Sequence, residues 1–345
     1  MWLVAGLLFA LFLLLAPSAW EAAEQFEPGP DYRIPYELSA DYWHFARCCR
    51  RLAAEGQVVL LGDSVVWGQY VTPGETLSAG LNAASETNLY ANLGVDGMHP
   101  AALEGLIRHY GGGLAGTRVL LHCNPLWMSS PRHDLQGTRE FAFNHPELVP
   151  QFTESIPCYR RSFSGRLDIV IGRSLPVFGW VRHLRLAYRE GKPLPQWSLD
   201  HPYECPIPIP AGGPLNPSLE PRHEPLSWSE RGLGLQDMPW VPADGSFQWR
   251  MFRRTVACLR ERGAPVFVLI GPFNEHMLGA SAQARYRSLR EGIEALLEAD
   301  GVPCLAPPPL PSREYADASH PLAAGYARLA RQLASDGGFR SFAGL

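Results

Sequence analysis

The chain opens on an unbroken apolar run and then alternates short apolar stretches with amphipathic ones. From Trp2 to Ala16 no residue is charged or polar, and the first acid is Glu21. Such a run predicts an export signal or an uncleaved membrane anchor over residues 1–23, with the remainder outside the cytoplasm. Only Met1 precedes it, so no basic residue marks its orientation. Farther on, apolar runs at 58–61, 88–93, 118–122 and 264–270 each end in a turn of small or polar residues. Runs this short, bounded this way, read as buried parallel strands. A brief fifth strand is expected at 302–305. Between them lie stretches with helical spacing, such as Leu103, Leu106 and Ile107, or Tyr286, Leu289, Ile293 and Leu297 within 281–299. Other helices are expected at 47–55, from Glu75, over 247–262 and over 322–333. Strand–helix alternation with right-handed crossovers predicts an α/β chain, a three-layer α/β/α sandwich with a central parallel sheet. Its strand ends then gather on one edge.

That order breaks after Ser129. Residues 24–128 and 246–345 form the α/β domain, and 129–245 is a large irregular insertion, with helices expected near 145–160 and 174–190. From Gly191 to Pro242 it holds 12 prolines, a density that denies the chain both sheet ladders and continuous helix. Between Leu175 and Tyr188, Val177, Val181, Leu184 and Tyr188 share one helical face, while Arg182, Arg185 and Arg189 lie largely to another side. Two readings fit: a basic amphipathic helix resting on an anionic membrane or a membrane partner, or a helix whose apolar face packs on the α/β domain.

Composition narrows the class. Hydrophobic residues at 46% and charged residues at 19% describe a chain able to bury a core. A net charge of -4 gives no argument for a nucleic-acid partner. The seven cysteines include no C-x-x-C pair, and Cys158 with Cys205 is the one pairing expected if export permits a disulfide. The 11 histidines are dispersed without H-E-x-x-H or a Cys/His cluster, so no metal and no cofactor is expected.

Chemistry concentrates at the strand ends. Gly62-Asp63-Ser64 puts a serine hydroxyl at the turn after the first strand, rigidly held, with its own N–H free to face developing negative charge. Alone, the tripeptide fits a helix cap equally well. Asp317 and His320, three apart in a Pro-flanked turn before the last predicted helix, change that. A serine nucleophile needs a base beside its hydroxyl and an acid orienting the base, and this pair supplies both. Gly271-Pro272-Phe273-Asn274-Glu275-His276 follows the fourth strand; His276 is a rival base, and Asn274, His276 and Trp67 are candidates to line the cleft.

GDSVVWGQYVTPGETLSAGLN, from Gly62, resembles the first block of the SGNH hydrolase superfamily, the GDSL-type esterases and lipases. NLGVDG at 92–97 is similar to the second block, Asn124 falls where the third places an asparagine, and Asp317 with His320 matches the closing D-x-x-H. The third block departs from its usual G-x-N-D, reading His122-Cys123-Asn124-Pro125. The resemblance implies an SGNH/flavodoxin-like sheet, Ser64 as nucleophile, His320 as base and Asp317 as its orienting acid. It implies an oxyanion hole from the Ser64 and Gly97 N–H groups and the Asn124 amide. The implied activity is serine ester hydrolysis, on an O-acyl carbohydrate, lipid-like or cell-envelope substrate. Two alternatives stand beside it: an O-acyltransferase working with a membrane-embedded acyltransferase partner, and a non-catalytic scaffold in an envelope complex.

Overall fold

The computed structural model describes residues 1–25, 32–205 and 220–345. Helix α1 (Trp2–Ala23) precedes the body, which begins with α2 (Tyr42–Ala54), β1 (Val58–Gly62) and the single turn α3 (Ser64–Trp67). Then come α4 (Leu77–Ser85), β2 (Tyr90–Gly94), α5 (Pro100–Tyr110) and β3 (Val119–Cys123). The insertion contributes α6 (Phe163–Ser174), α7 (Pro176–Tyr188) and α8 (Leu194–Asp200). The α/β order resumes with α9 (Phe247–Glu261), β4 (Val266–Ile270), α10 (Ala280–Ala299), β5 (Cys304–Leu305), α11 (Ala323–Ser335) and α12 (Gly337–Ala343).

The five strands form one all-parallel sheet in the order β2-β1-β3-β4-β5. Every residue of β1 to β4 is buried, which is why these strands read as continuous apolar runs. Successive residues serve opposite faces. Val59 and Leu61 join the core under α2, α5, α9 and α10, whereas Val58 and Leu60 join the one under α4, α11 and α12. In this doubly wound order the strand sequence reverses between β1 and β3, and that crevice is where such sheets bind ligands. Gly94 makes the crevice possible: a Cβ there would stand 2.4 Å from the Trp67 nitrogen, so a side chain would push α3 away from β2.

The insertion leaves and rejoins the body at one place, where Trp240 N and Val241 N donate to Ser129 O and Met128 O at 3.1 and 2.8 Å. Asp134 caps α9 by accepting from Phe247 N at 3.0 Å and Gln248 N at 2.9 Å. Leu135, Val149, Ile156 and Tyr159 form a small third core with Ala101, Phe247 and Met251.

Several expectations are corrected. The helix placed at 47–55 starts at Tyr42, because Asp41 accepts from His44 N and caps it there. No helix occupies 145–160: Pro146, Pro150 and Pro157 interrupt it, and His145 stands at φ +53. Helix α12 was not anticipated; Asp336, which ends α11, caps it. Cys158 and Cys205 are not joined, the first being buried against Leu135 O and the second exposed. On α7, Leu184 is buried and Tyr188 half-buried, while Val181 is exposed, so the face expected to act as one is divided. Part of the extended lead-in, 26–31, and of the Pro-rich stretch, 206–219, lie outside the described residues.

Helix α1 has 22 residues and mean hydropathy 2.2, long and apolar enough to cross a membrane. Its apolar length is exposed, but its last turn is fastened to the body. Trp20 meets the rings of Trp180 and Tyr188 at 6.0 and 5.7 Å. Glu24, just beyond, is buried among Arg47, His183 and Tyr188.

Candidate active site

Asp63 ends β1 and caps α3, so that Ser64 begins a helical turn at the crevice. Its carboxylate accepts from Val65 N at 3.0 Å, the Asn124 amide at 2.7 Å and the Trp127 indole at 2.9 Å, and His122 Nδ1 lies 3.3 Å away. Burial pushes the Asp63 pKa up, but the His122 contact, the Asn124 amide and nearby imidazole charge outweigh it and hold it at about 2. The Asp63 carboxylate, held well below the usual range, thus ties the Ser64 turn to the β3 turn.

Across the crevice, the loop before α11 carries Asp317 and His320. His320 Nε2 lies 2.8 Å from Ser64 Oγ, joining residues 256 positions apart. Its Nδ1 lies 2.8 and 2.9 Å from the two Asp317 oxygens. This geometry suits a neutral imidazole with its proton on Nδ1, donating to Asp317 while Nε2 accepts from the serine. Asp317 Oδ1 also accepts from the backbone N–H groups of Ser319 and His320, both at 3.0 Å. Burial opposes ionisation of Asp317, but the charge and hydrogen bond of His320 and these two amides hold its carboxyl far below the usual range. Burial likewise disfavours the His320 imidazolium, yet Asp317, then Asp63 and Asp96, raise its pKa above the ordinary value.

Gly97 sits at φ +67, where an L side chain is strained, and a Cβ would fall 2.1 Å from Asn144 Nδ2. The N–H groups of Ser64 and Gly97 have no acceptor among the described residues. Asn124 uses one amide hydrogen on Asp63 and its oxygen on Leu126 N at 3.0 Å, which leaves its second amide hydrogen unassigned. Three donor hydrogens without an acceptor among the described residues therefore lie at or just beyond the ends of β1, β2 and β3.

No family model matches this chain, and no curated protein matches it.

The three residues expected to line the cleft do something else. Trp67 is buried beneath the nucleophile turn, its indole donating to Ile34 O and its ring covered by the Arg33 guanidinium at 4.1 Å. Asn274 is fully buried and braces the Asp317–His320 loop, its N–H donating to Ala318 O at 2.8 Å and its amide to Asp317 O at 3.1 Å. His276 is exposed on a turn after β4, its Nε2 3.1 Å from Leu310 O, and bonds to neither Ser64 nor Asp317. It is not the base.

Other residues at the site had not been singled out. Tyr70 OH donates to Asp317 Oδ2 at 3.2 Å, and Arg231, from the returning half of the insertion, donates to Tyr70 OH at 2.7 Å and Ala316 O at 3.1 Å. Arg222 pairs with Asp96 at 2.9 Å, and His223 Nε2 lies 3.2 Å from Gln69 Nε2. Tyr70 lies within the block that begins at Gly62, where a residue six beyond the serine was within reach of notice. Arg231 had no such signal, since the irregular stretch around it carries no period to place it. Among the described residues no three His, Cys, Asp or Glu side chains are grouped to hold a metal ion.

Proposed function

We propose that the chain is an extracytoplasmic serine ester hydrolase of SGNH type, working through an acyl-serine intermediate. The observation that carries this reading is the unbroken hydrogen-bond chain Ser64–His320–Asp317, assembled from loops at opposite ends of the sequence. Ser64 Oγ attacks the ester carbonyl as its proton passes to His320 Nε2, and Asp317 stabilises the imidazolium that forms. The carbonyl oxygen becomes an oxyanion facing the Ser64 and Gly97 N–H groups and the spare Asn124 amide hydrogen. His320 then protonates the departing alcohol, and a water activated by the same histidine releases the acid. The apolar α1 supports placing this chemistry outside the cytoplasm, on an O-acyl carbohydrate or envelope ester.

A second reading, acyl transfer to a hydroxyl acceptor, is favoured by how little of the site is open. Ser64 and His320 are each only 8% exposed, and the insertion reaches the catalytic loop through Arg231. A shielded acyl-serine resists water and favours an acceptor held in place. Both readings share the activated serine. A fluorophosphonate probe should label the folded full-length chain, and Ser64→Ala and His320→Ala should abolish labelling. Absence of labelling on folded wild-type protein would leave only a binding or scaffold role. If labelling occurs, release of free acid against transfer to an added sugar acceptor separates hydrolase from transferase.

A further inference from the structure

The helical hairpin α6–α7 carries two apolar faces. One is used for packing: Ile169 and Leu184 are buried against the body, as is His183. The other points outward through Phe163, Leu167, Ile171, Leu175 and Val181, all exposed and Phe163 by 73%. The α6 members recur every four residues, one continuous stripe. Folding already has its face, and among the described residues only Phe152 packs a ring against this second stripe, on Phe163 at 5.5 Å. Single exposed apolar residues need no explanation, but a contiguous set does.

Charge and position say what covers it. Residues 158–192 hold eight arginine and lysine residues against two acids, in a protein of net charge -4. Arg160, Arg161 and Arg185 form no ion pair among the described residues. Helix α7 shares with α2 the fastening of α1, through Trp20 on Trp180 and Glu24 on His183. A stripe of apolar side chains flanked by arginines, hung beside a membrane-length helix, has the composition of an element lying in the headgroup layer. A groove of about 260 Å³ beside α7 is lined by Arg182 and Arg185 and, on its other side, by Asp96 and Asn144, the neighbours of Gly97.

The geometry points to an anionic bilayer as the partner of the α6–α7 stripe. Phe163, Leu167 and Ile171 enter the interface while the neighbouring arginines meet lipid phosphates, and the Ser64 crevice is held at a fixed attitude to substrate at that surface. The inference rests on α1 being inserted in the membrane, part of the reading above, but not on Ser64 being a nucleophile.

The full-length chain in vesicles of phosphatidylcholine and phosphatidylglycerol, doped with a phospholipid bearing a diazirine on its acyl chain, tests this by photocrosslinking and peptide mapping. Adducts are expected on α1 and also on peptides spanning 162–182. Leu167→Ser with Ile171→Ser, both at exposed positions, should remove the second set and leave the α1 adducts and Ser64 probe labelling unchanged. Arg160→Glu with Arg161→Glu should lower the second set roughly thirtyfold, the effect of losing two arginine contacts with an anionic leaflet. Adducts on α1 alone would overturn the inference while leaving the anchor intact. No adducts on either would overturn the membrane placement as well.

Discussion

Arg231 Nη1 donates to the Tyr70 hydroxyl at 2.7 Å, and so orients that hydroxyl towards Asp317 Oδ2. The insertion therefore reaches the acid of the Ser64–His320–Asp317 chain through one intermediary. Tyr70→Phe should lower kcat by roughly tenfold to a hundredfold with KM little changed, the worth of one hydrogen bond to a charged group. Arg231→Gln removes a positive charge near the Asp317–His320 pair as well as the donor. Cations destabilise a neighbouring imidazolium, so His320 should hold its proton to higher pH in that variant. The acid limb of kcat/KM should move upward in Arg231→Gln more than in Tyr70→Phe. Arg231→Lys restores the charge without the fork and should recover the limb position better than the rate. An acid limb unmoved in Arg231→Gln would reduce the residue to packing.

On the proposed serine-hydrolase reading, the pH profile of the wild-type chain follows from the same pair. His320 must be neutral to accept the serine proton, and its pKa is raised because Asp317, Asp63 and Asp96 together outweigh the burial that would lower it. The acid limb of activity should therefore lie above the ordinary histidine value of about 6.5. Asp317 stays ionised throughout this range. Fluorophosphonate labelling rates between pH 5 and pH 9, about two units either side of neutrality, would report it. A limb below the ordinary value would show that burial dominates at His320.

Asn124 has two jobs that mutation can separate. Its amide contacts Asp63, and so does the Trp127 indole on the same oxygen. Only Asn124 is placed to offer a further hydrogen to an oxyanion. Asn124→Ala should cost about 2.7 to 4 kcal/mol of transition-state stabilisation, seen in kcat rather than KM. Trp127→Phe should share the modest loss of stability from Asp63 losing one donor, about 1 to 3 kcal/mol, and keep most of kcat. Equal losses of kcat in the two variants would place Asn124 among the supports of the turn.

The parts of this molecule that were legible in its sequence share a cause. A strand buried on both faces must be a short apolar run, and a turn at its end must be small, so β1 to β4 and their functional loops announce themselves. The Asp317–His320 spacing is equally local. What stayed hidden depends on contacts between distant segments. Arg231 acquires meaning only when the irregular return of the insertion crosses the loop at Ala316. Trp67 and Asn274 lie in the right motifs, yet their side chains turn into the scaffold beneath the cleft. The 145–160 segment has apolar residues in plenty, but packing against α5 and α9 holds it without helical hydrogen bonds. Periodicity reports burial, and burial does not need a helix.

The fastening of α1 gives a prediction about stability. His183 is fully buried between Asp41 Oδ2 at 2.6 Å and Glu24 Oε1 at 2.8 Å. Burial would lower its pKa, but hydrogen bonds to both carboxylates and their charges raise it to about 9. Glu24 shows the other side of the same ion pair: burial raises its pKa, and the His183 bond and charge, with Tyr188 and Trp20, bring it to about 2. A raised histidine stabilises the fold fully below its unfolded value of about 6.5 and loses that contribution as pH climbs through about 9. A depressed glutamate stabilises above its unfolded value of about 4.5 and loses that contribution as pH falls towards about 2. The latch is therefore strongest between about pH 4.5 and 6.5. His183→Gln leaves two buried carboxylates short of a cation and should cost roughly 3 to 5 kcal/mol near pH 6. That cost should shrink steadily by pH 10, about one unit above the folded value, because the wild-type histidine is then neutral too. Tyr188→Phe, which removes only a neutral donor to Glu24, should cost about 1 to 3 kcal/mol with far less dependence on alkaline pH. Urea unfolding of the full-length chain in detergent at several pH values reads both. A His183→Gln deficit that stays constant into the alkaline range would show that shape, and not charge, holds the end of α1 to the body.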